Sequence, residues 1–403
     1  MYLLSISKLK NFLTINLDDL CYNSHMNELV KNAKRIVFKF GTNVLRNENG
    51  EISLSRVYSF VEDVAKLHKQ GKEVIIVTSG AVGLGAKKLG VNSSESMAVK
   101  QACAACGQSL LMSMYEHGFE SYGITVAQIL LTEEDFSNRK KYLSLNNTLG
   151  TLLSLNAVPI INQNDTVSTE ELEQYHEELQ ICFSDNDKLA ALVASKLDAD
   201  LLVILSDVDG LFDDNPKENP DAHIIPVVEK LDDTLRNYAQ NASSGGRGGM
   251  KTKLEAANVV TRSGGCAIIA NGKKPQIISK IFSGEDCGTI FLPTETLTGK
   301  KRWIAYATNV LGQVVINDGA KKALIEKESS LLPIGVVEVR NDFRRGDVVG
   351  IVDSNGVEFA RGVVNYNFSD AQKIVGVHSD KILETLGYKN YDALITRDNI
   401  VLL

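Results

Sequence analysis

The chain has 403 residues, of which 44% are hydrophobic and 23% charged, and its formal net charge is −7. That length suits two domains better than one, and the apolar content is ample for a large core. The negative balance excludes a general affinity for nucleic acid or membrane surfaces, and no apolar run approaches the roughly 20 residues that span a bilayer.

Residues 1–33 start apolar but are soon interrupted by Lys8, Lys10 and Asn11, then by Asp18 and Asp19. This is a poor signal peptide. The segment is expected to be an N-terminal extension, with Met1 or Met26 as the start. Arg35 to Phe40 then reads as a buried strand, followed by the turn Gly41-Thr42-Asn43. Leu54, Val57, Tyr58, Val61, Val64 and Ala65 recur at helical spacing, and Gly71 closes that helix. Val74 to Thr78 is β-branched; Ser79-Gly80-Ala81 follows it and leads into a helical stretch ending near Leu89.

The alternation continues with a helix over Ala98 to His117 and a strand over Ile124 to Leu131. Cys103 and Cys106 fall in that helix, and they alone of the six cysteines have CxxC spacing. No second pair or nearby histidine completes a zinc site, so they read as buried thiols in a reducing, cytoplasmic setting. Asn138 to Asn156 reads as helix, Val158 to Asn162 as strand, Asp187 to Leu197 as helix and Leu201 to Leu205 as strand. Thr252 to Arg262 is a helix and Ala267 to Ala270 a strand.

Apolar strands separated by helices predict an α/β fold: a three-layer αβα sandwich with a mostly parallel sheet, over residues 34–282. Residues 283–299 read as a linker. After it the pattern predicts a small all-β barrel over 300–390 and a C-terminal tail over 391–403. Asp353-Ser354-Asn355-Gly356 joins two short strands there, and Asn-Gly is a strong hairpin signal.

Ligands of such sheets bind beyond the carboxyl ends of the strands. Six polar or glycine-rich clusters stand at such positions. Lys39 ends a strand beside Gly41; it either snorkels to solvent or points its ammonium into a phosphate site. Thr78-Ser79-Gly80-Ala81 allows close backbone approach and offers helix N–H donors. Asn162-Gln163-Asn164-Asp165 is either a turn cap or an amino-acid cradle. Ser184-Asp185-Asn186-Asp187 opens a helix, where acids are favoured by the dipole and can also orient lysines. Ser206-Asp207 ends another strand. The loop Gly245-Gly246-Arg247-Gly248-Gly249-Met250-Lys251-Thr252-Lys253 has the composition of a phosphate cradle, although Met250 departs from a Walker A motif.

In this order the clusters resemble the amino-acid kinase family, most closely its branch that phosphorylates the side-chain carboxylate of glutamate. Lys300-Lys301-Arg302-Trp303 and Ser329-Ser330-Leu331-Leu332-Pro333 resemble the PUA domain that many members carry. The resemblance implies that Lys39 and Lys253 contact the transferring phosphoryl group while Asp187 organises them. It implies that Ser79, Asp165 and Asn186 bind L-glutamate. Lys39, Ser206, Asp207 and the loop Arg247, Gly248, Gly249, Met250, Lys251, Thr252 and Lys253 would bind ATP. Mg²⁺ would be held mainly by the nucleotide phosphates, with no protein metal site. Proline biosynthesis, feedback inhibition by proline and a homo-oligomer are also implied. Ser184 replaces the family's usual glycine, and the acidic loop 166–183 has no lysine.

Alternatives are another kinase of the same fold, acting on acetylglutamate, aspartate, carbamate or UMP, or RNA binding through the second domain. Gly299 to Leu403 holds 14 Lys+Arg against 13 Asp+Glu, a net of +1, which is no basic footprint.

Overall fold

In the computed structural model the described residues are 27–132, 134–137, 139–167, 186–216, 218–232, 235, 249–285, 287–294, 301, 304–305, 310–327 and 329–403. Arg247, Gly248, Ser184 and the acidic loop from 168 onward lie outside them. The chain begins with α1 (27–32), β1 (Arg35–Phe40), α2 (Thr42–Leu45), α3 (Leu54–Lys69) and β2 (Glu73–Val77). It continues through α4 (Ala81–Leu89), α5 (Met97–Glu120), β3 (Val126–Leu131), α6 (Glu134–Ser137), α7 (Arg139–Ser154) and β4 (Val158–Gln163). Next come α8 (Asn186–Lys196), β5 (Leu201–Ser206), β6 (Val227–Val228), α9 (Met250–Thr261), β7 (Cys266–Asn271), α10 (Ile277–Ser283) and β8 (Thr289–Phe291).

These strands form one sheet in the order β3-β4-β2-β1-β5-β7-β8-β6, parallel except for the β7–β8 pair. Strand periodicity sorts the core. Ile36, Phe38 and Phe40 of β1 join the apolar layer made with α1, α3, α5 and α10. Val37 points to the other face, into a layer built by α7, α8 and α9. Side chains two apart share a face, so Lys39 follows Val37 toward α8 and α9. That parity is why the lysine faces the site and the two flanking phenylalanines do not.

Helices α4 and α5 cross unusually closely. A Cβ added at Gly107 would overlap the Ala81 carbonyl oxygen, and one at Gly85 would overlap the Cys103 carbonyl oxygen. Gly80, with φ of 109°, starts α4 in the left-handed region that glycine tolerates best. The turn after β2 is thereby held against α5.

A second, five-stranded sheet contains β9 (Gly312–Ile316), β10 (Val336–Arg340), β11 (Val348–Val352), β12 (Glu358–Val363) and β13 (Ile400–Leu402), in the order β10-β9-β11-β12-β13. β11 and β12 form the antiparallel hairpin expected from Asn355-Gly356. Helices accompany this sheet, among them α11 (Asp318–Lys327), α12 (Phe368–Ile374) and α13 (Ile382–Leu386). The all-β expectation did not include them. α11 buries only Leu324, so its apolar periodicity is faint.

Three segment boundaries also fall differently from the sequence reading. Residues 27–32 of the expected extension form a helix, and Val30 and Ala33 are in the core. β8 lies inside the expected linker yet pairs with β7. The expected tail supplies β13, paired with β12. Each is a short piece whose structure comes from its neighbours, which a local pattern cannot register. Among the described residues no helix is long and apolar enough to cross a membrane.

Candidate active site at the carboxyl edge of the sheet

Three elements distant in sequence meet at one carboxylate. Lys39, at the end of β1, places Nζ 2.6 Å from Asp187 Oδ1. Lys253, in the first turn of α9, places Nζ 3.0 Å from Asp187 Oδ2. Thr252 Oγ1 donates to the same Oδ2 at 3.2 Å. All three charged groups are buried, Asp187 completely. Burial by itself pushes the Asp187 carboxyl up, but Lys39 and then Lys253 overcome it and hold the group down at about 2. Two ammonium groups thus share one buried carboxylate. Buried charge is costly unless it is paired, and the shared carboxylate offsets that cost for both lysines.

The backbone around these groups suits close approach. A Cβ at Gly41 would stand 3.3 Å from the Leu205 carbonyl oxygen, a tight contact, and 3.6 Å from Lys39 Nζ, an ordinary one. Gly249 precedes α9 with extended backbone and no capping side chain, leaving the first N–H groups of that helix for an anion. Of the loop residues assigned to the nucleotide, Lys253 is buried, Thr252 and Met250 are partly buried, and Lys251 is exposed. Met250 packs against the core layer beneath α9.

A second group lies at the ends of β2 and β4. Asn186, the first residue of α8, donates through Nδ2 to the Thr78 carbonyl oxygen at 2.9 Å and to Ser79 Oγ at 2.6 Å. Ser79 and Asn186, both predicted from sequence, are therefore brought together, next to Asp187. Asp165 stands in the turn that follows β4, partly buried.

A third group lies at the end of β5. Ser206 Oγ donates to Asp207 Oδ1 at 3.2 Å, and Asn43 Nδ2 donates to Asp207 Oδ2 at 3.0 Å. Partial burial raises the Asp207 carboxyl, but the Asn43 hydrogen bond and its other polar neighbours leave it below the usual carboxylate range.

Sequence reasoning missed Asn43, Gln108 and the specific tie from Thr252 to Asp187. Asn43 stood in a turn that was noted for its glycine. Gln108 is a buried polar residue inside a long helix, and no local pattern marks it out.

An open, mostly parallel sheet with buried lysines and an aspartate gathered at its carboxyl edge is an α/β architecture whose ligand site lies at that edge. The chain belongs to the amino acid kinase family, whose model matches residues 34–271, and a PUA domain matches residues 312–386. It is 45% identical over 372 residues to a glutamate 5-kinase of Caldanaerobacter subterraneus subsp. tengcongensis, covering 92% of this chain and 98% of the relative. It is 44% identical over 386 residues to a glutamate 5-kinase of Methanosarcina mazei, covering 93% and 98%. A glutamate 5-kinase of Teredinibacter turnerae is 42% identical over 377 residues, covering 93% and 99%.

Proposed function

We propose that this chain transfers the γ-phosphoryl group of ATP to the side-chain carboxylate of L-glutamate, giving L-glutamyl 5-phosphate, the first step of proline biosynthesis. The observation that carries the chemistry is the buried Lys39–Asp187–Lys253 cluster, two ammonium groups held on one carboxylate. Full-length similarity to glutamate 5-kinases supports the choice of acceptor.

The acceptor carboxylate is already ionised at pH 7, so no general base is required. One of its oxygens forms the new P–O bond while the bond from the γ-phosphorus to the β–γ bridging oxygen breaks, and its electron pair leaves with ADP. The obstacle is repulsion between an anion and a polyanion. Lys39 and Lys253 relieve it by placing positive charge beside the migrating group. Asp187 keeps both ammonium groups in place. Ser79, Asp165 and Asn186 hold glutamate; Ser206, Asp207 and the start of α9 hold the nucleotide.

Mg²⁺, held mainly by the nucleotide phosphates, would neutralise part of their charge. Asp187 fits that arrangement, since both of its oxygens face lysines and are engaged there. The same reading places the enzyme in the cytoplasm, as a homo-oligomer inhibited by proline.

The test is ADP release with glutamate, N-acetylglutamate, aspartate, carbamate and UMP as acceptors, with hydroxylamine trapping of the acyl phosphate. Glutamate is expected to be the preferred acceptor, to yield a hydroxamate and to be slowed by proline. No hydroxamate from glutamate, or a clear preference for another acceptor, refutes the assignment.

A further inference from the structure

A line of amides runs from the start of α8 to the middle of α5. Besides its bonds to Thr78 and Ser79, Asn186 Nδ2 lies 3.4 Å from Asn162 Oδ1. Asn162 Nδ2 in turn donates to Gln108 Oε1 at 2.9 Å. Asn162 and Gln108 are buried, 2% and 8% exposed. The polarity of the line is forced from one end. The Thr78 carbonyl can only accept, so the Asn186 atom facing it is nitrogen. Asn162 must then show Asn186 its oxygen and Gln108 its nitrogen, and Gln108 must answer with its oxygen.

Two atoms are left over. Asn186 Oδ1 and Gln108 Nε2 are both buried and have no hydrogen-bond partner among the described residues. A buried donor without a partner lowers stability, and such groups are uncommon in folded proteins. A methionine or leucine at 108 would fill the same place in α5 without that orphan. The residue also stands at a sensitive point. It follows Gly107, whose Cα lies against α4 just after Ser79-Gly80.

We propose that Gln108 is a positioning residue for the acceptor substrate. The Thr78 carbonyl leaves Asn186 Oδ1 as the unmatched acceptor, while the Gln108 oxygen holds the Asn162 amide in place and Asn162 Oδ1 in turn braces Asn186 Nδ2. An acceptor of that polarity matches the α-ammonium group of an amino acid and not a dicarboxylic acid lacking one. The proposal rests on the glutamate reading and refines its specificity. Without the Gln108 oxygen, the Asn162 amide is free to shift and the acceptor at Asn186 loses the brace that holds it in position.

The experiment compares the parent chain with Gln108→Met, Asn162→Ala and the double variant, measuring kcat, KM for glutamate and ATP, glutarate turnover and Tm. For Gln108→Met the glutamate KM should rise about tenfold, one charge-assisted hydrogen bond's worth. Its kcat and ATP KM should stay within about twofold and Tm nearly unchanged, because one orphan is removed as another is made. The preference for glutamate over glutarate should shrink by about the same factor as the KM rises.

The double variant should show no further rise over Asn162→Ala, since the two act in series. Gln108→Glu, neutral when buried and still offering an accepting oxygen, should stay within about threefold of the parent KM. An unchanged glutamate KM, additive effects, or a fall in Tm and kcat with KM intact would overturn the proposal. Parent turnover of glutamate is measured first. Its absence would remove the glutamate reading and this proposal with it, whereas an active parent with unaltered variants removes only the role of Gln108.

Discussion

Replacing Asp187 by asparagine takes from the buried Lys39 and Lys253 the carboxylate they share, while the shape of the side chain is nearly kept. Each ammonium loses an ionic partner, one at 2.6 Å and one at 3.0 Å. Breaking a buried ion pair by removing one member costs about 3–5 kcal/mol. For a chain of this size that corresponds to a fall in Tm of roughly 6–20 °C, at about 2–4 °C per kcal/mol. The catalytic effect is separate from the loss of stability. Two lysines that repel one another swing away from the place where the phosphoryl group passes. If each supplies about a hundredfold, misplacing one or both lowers kcat by about 10² to 10⁴. ATP is also held by Ser206, Asp207 and the start of α9, so its KM should change by no more than about threefold. The assay is coupled ADP release with hydroxamate trapping, run beside a thermal melt so that folded protein alone is counted. Turnover close to the parent, or a loss confined to the KM for ATP, would refute the assigned role of Asp187.

Lys39→Ala and Lys253→Ala should each lower turnover by about a hundredfold or more in the same assay, and near-normal rates in both would remove them from the reaction. The Asp187 carboxyl titrates lower in the fold than in an exposed aspartate, near 2 instead of 3.8. Its ionised form therefore stabilises the protein by about 2 kcal/mol above pH 4, and this is lost as pH falls from about 4 to about 2. Denaturant melts across that window should show a loss that is smaller in Asp187→Asn than in the parent. Gly107→Ala forces a methyl group onto the Ala81 carbonyl oxygen and should destabilise by about 1–3 kcal/mol, read as a lower urea midpoint at unchanged slope.

Much of this protein was legible in the chain order of its residues. The alternation of apolar runs and helical spacing gave the strands and helices of the large sheet, because both periods are local properties of the backbone. Parity along β1 already set Lys39 opposite Phe38 and Phe40, and the clusters around Ser79, Asp165, Asp187, Ser206 and Lys253 stood where open α/β sheets hold ligands. Only the fold decided that β1 lies between β2 and β5, which lets Lys39 meet α8 and α9. It also decided that Asn186 reaches back to Thr78 and that Gln108 orients Asn162. Strand order and these long-range contacts depend on which distant segments pair and pack, and no window of neighbouring residues contains that information.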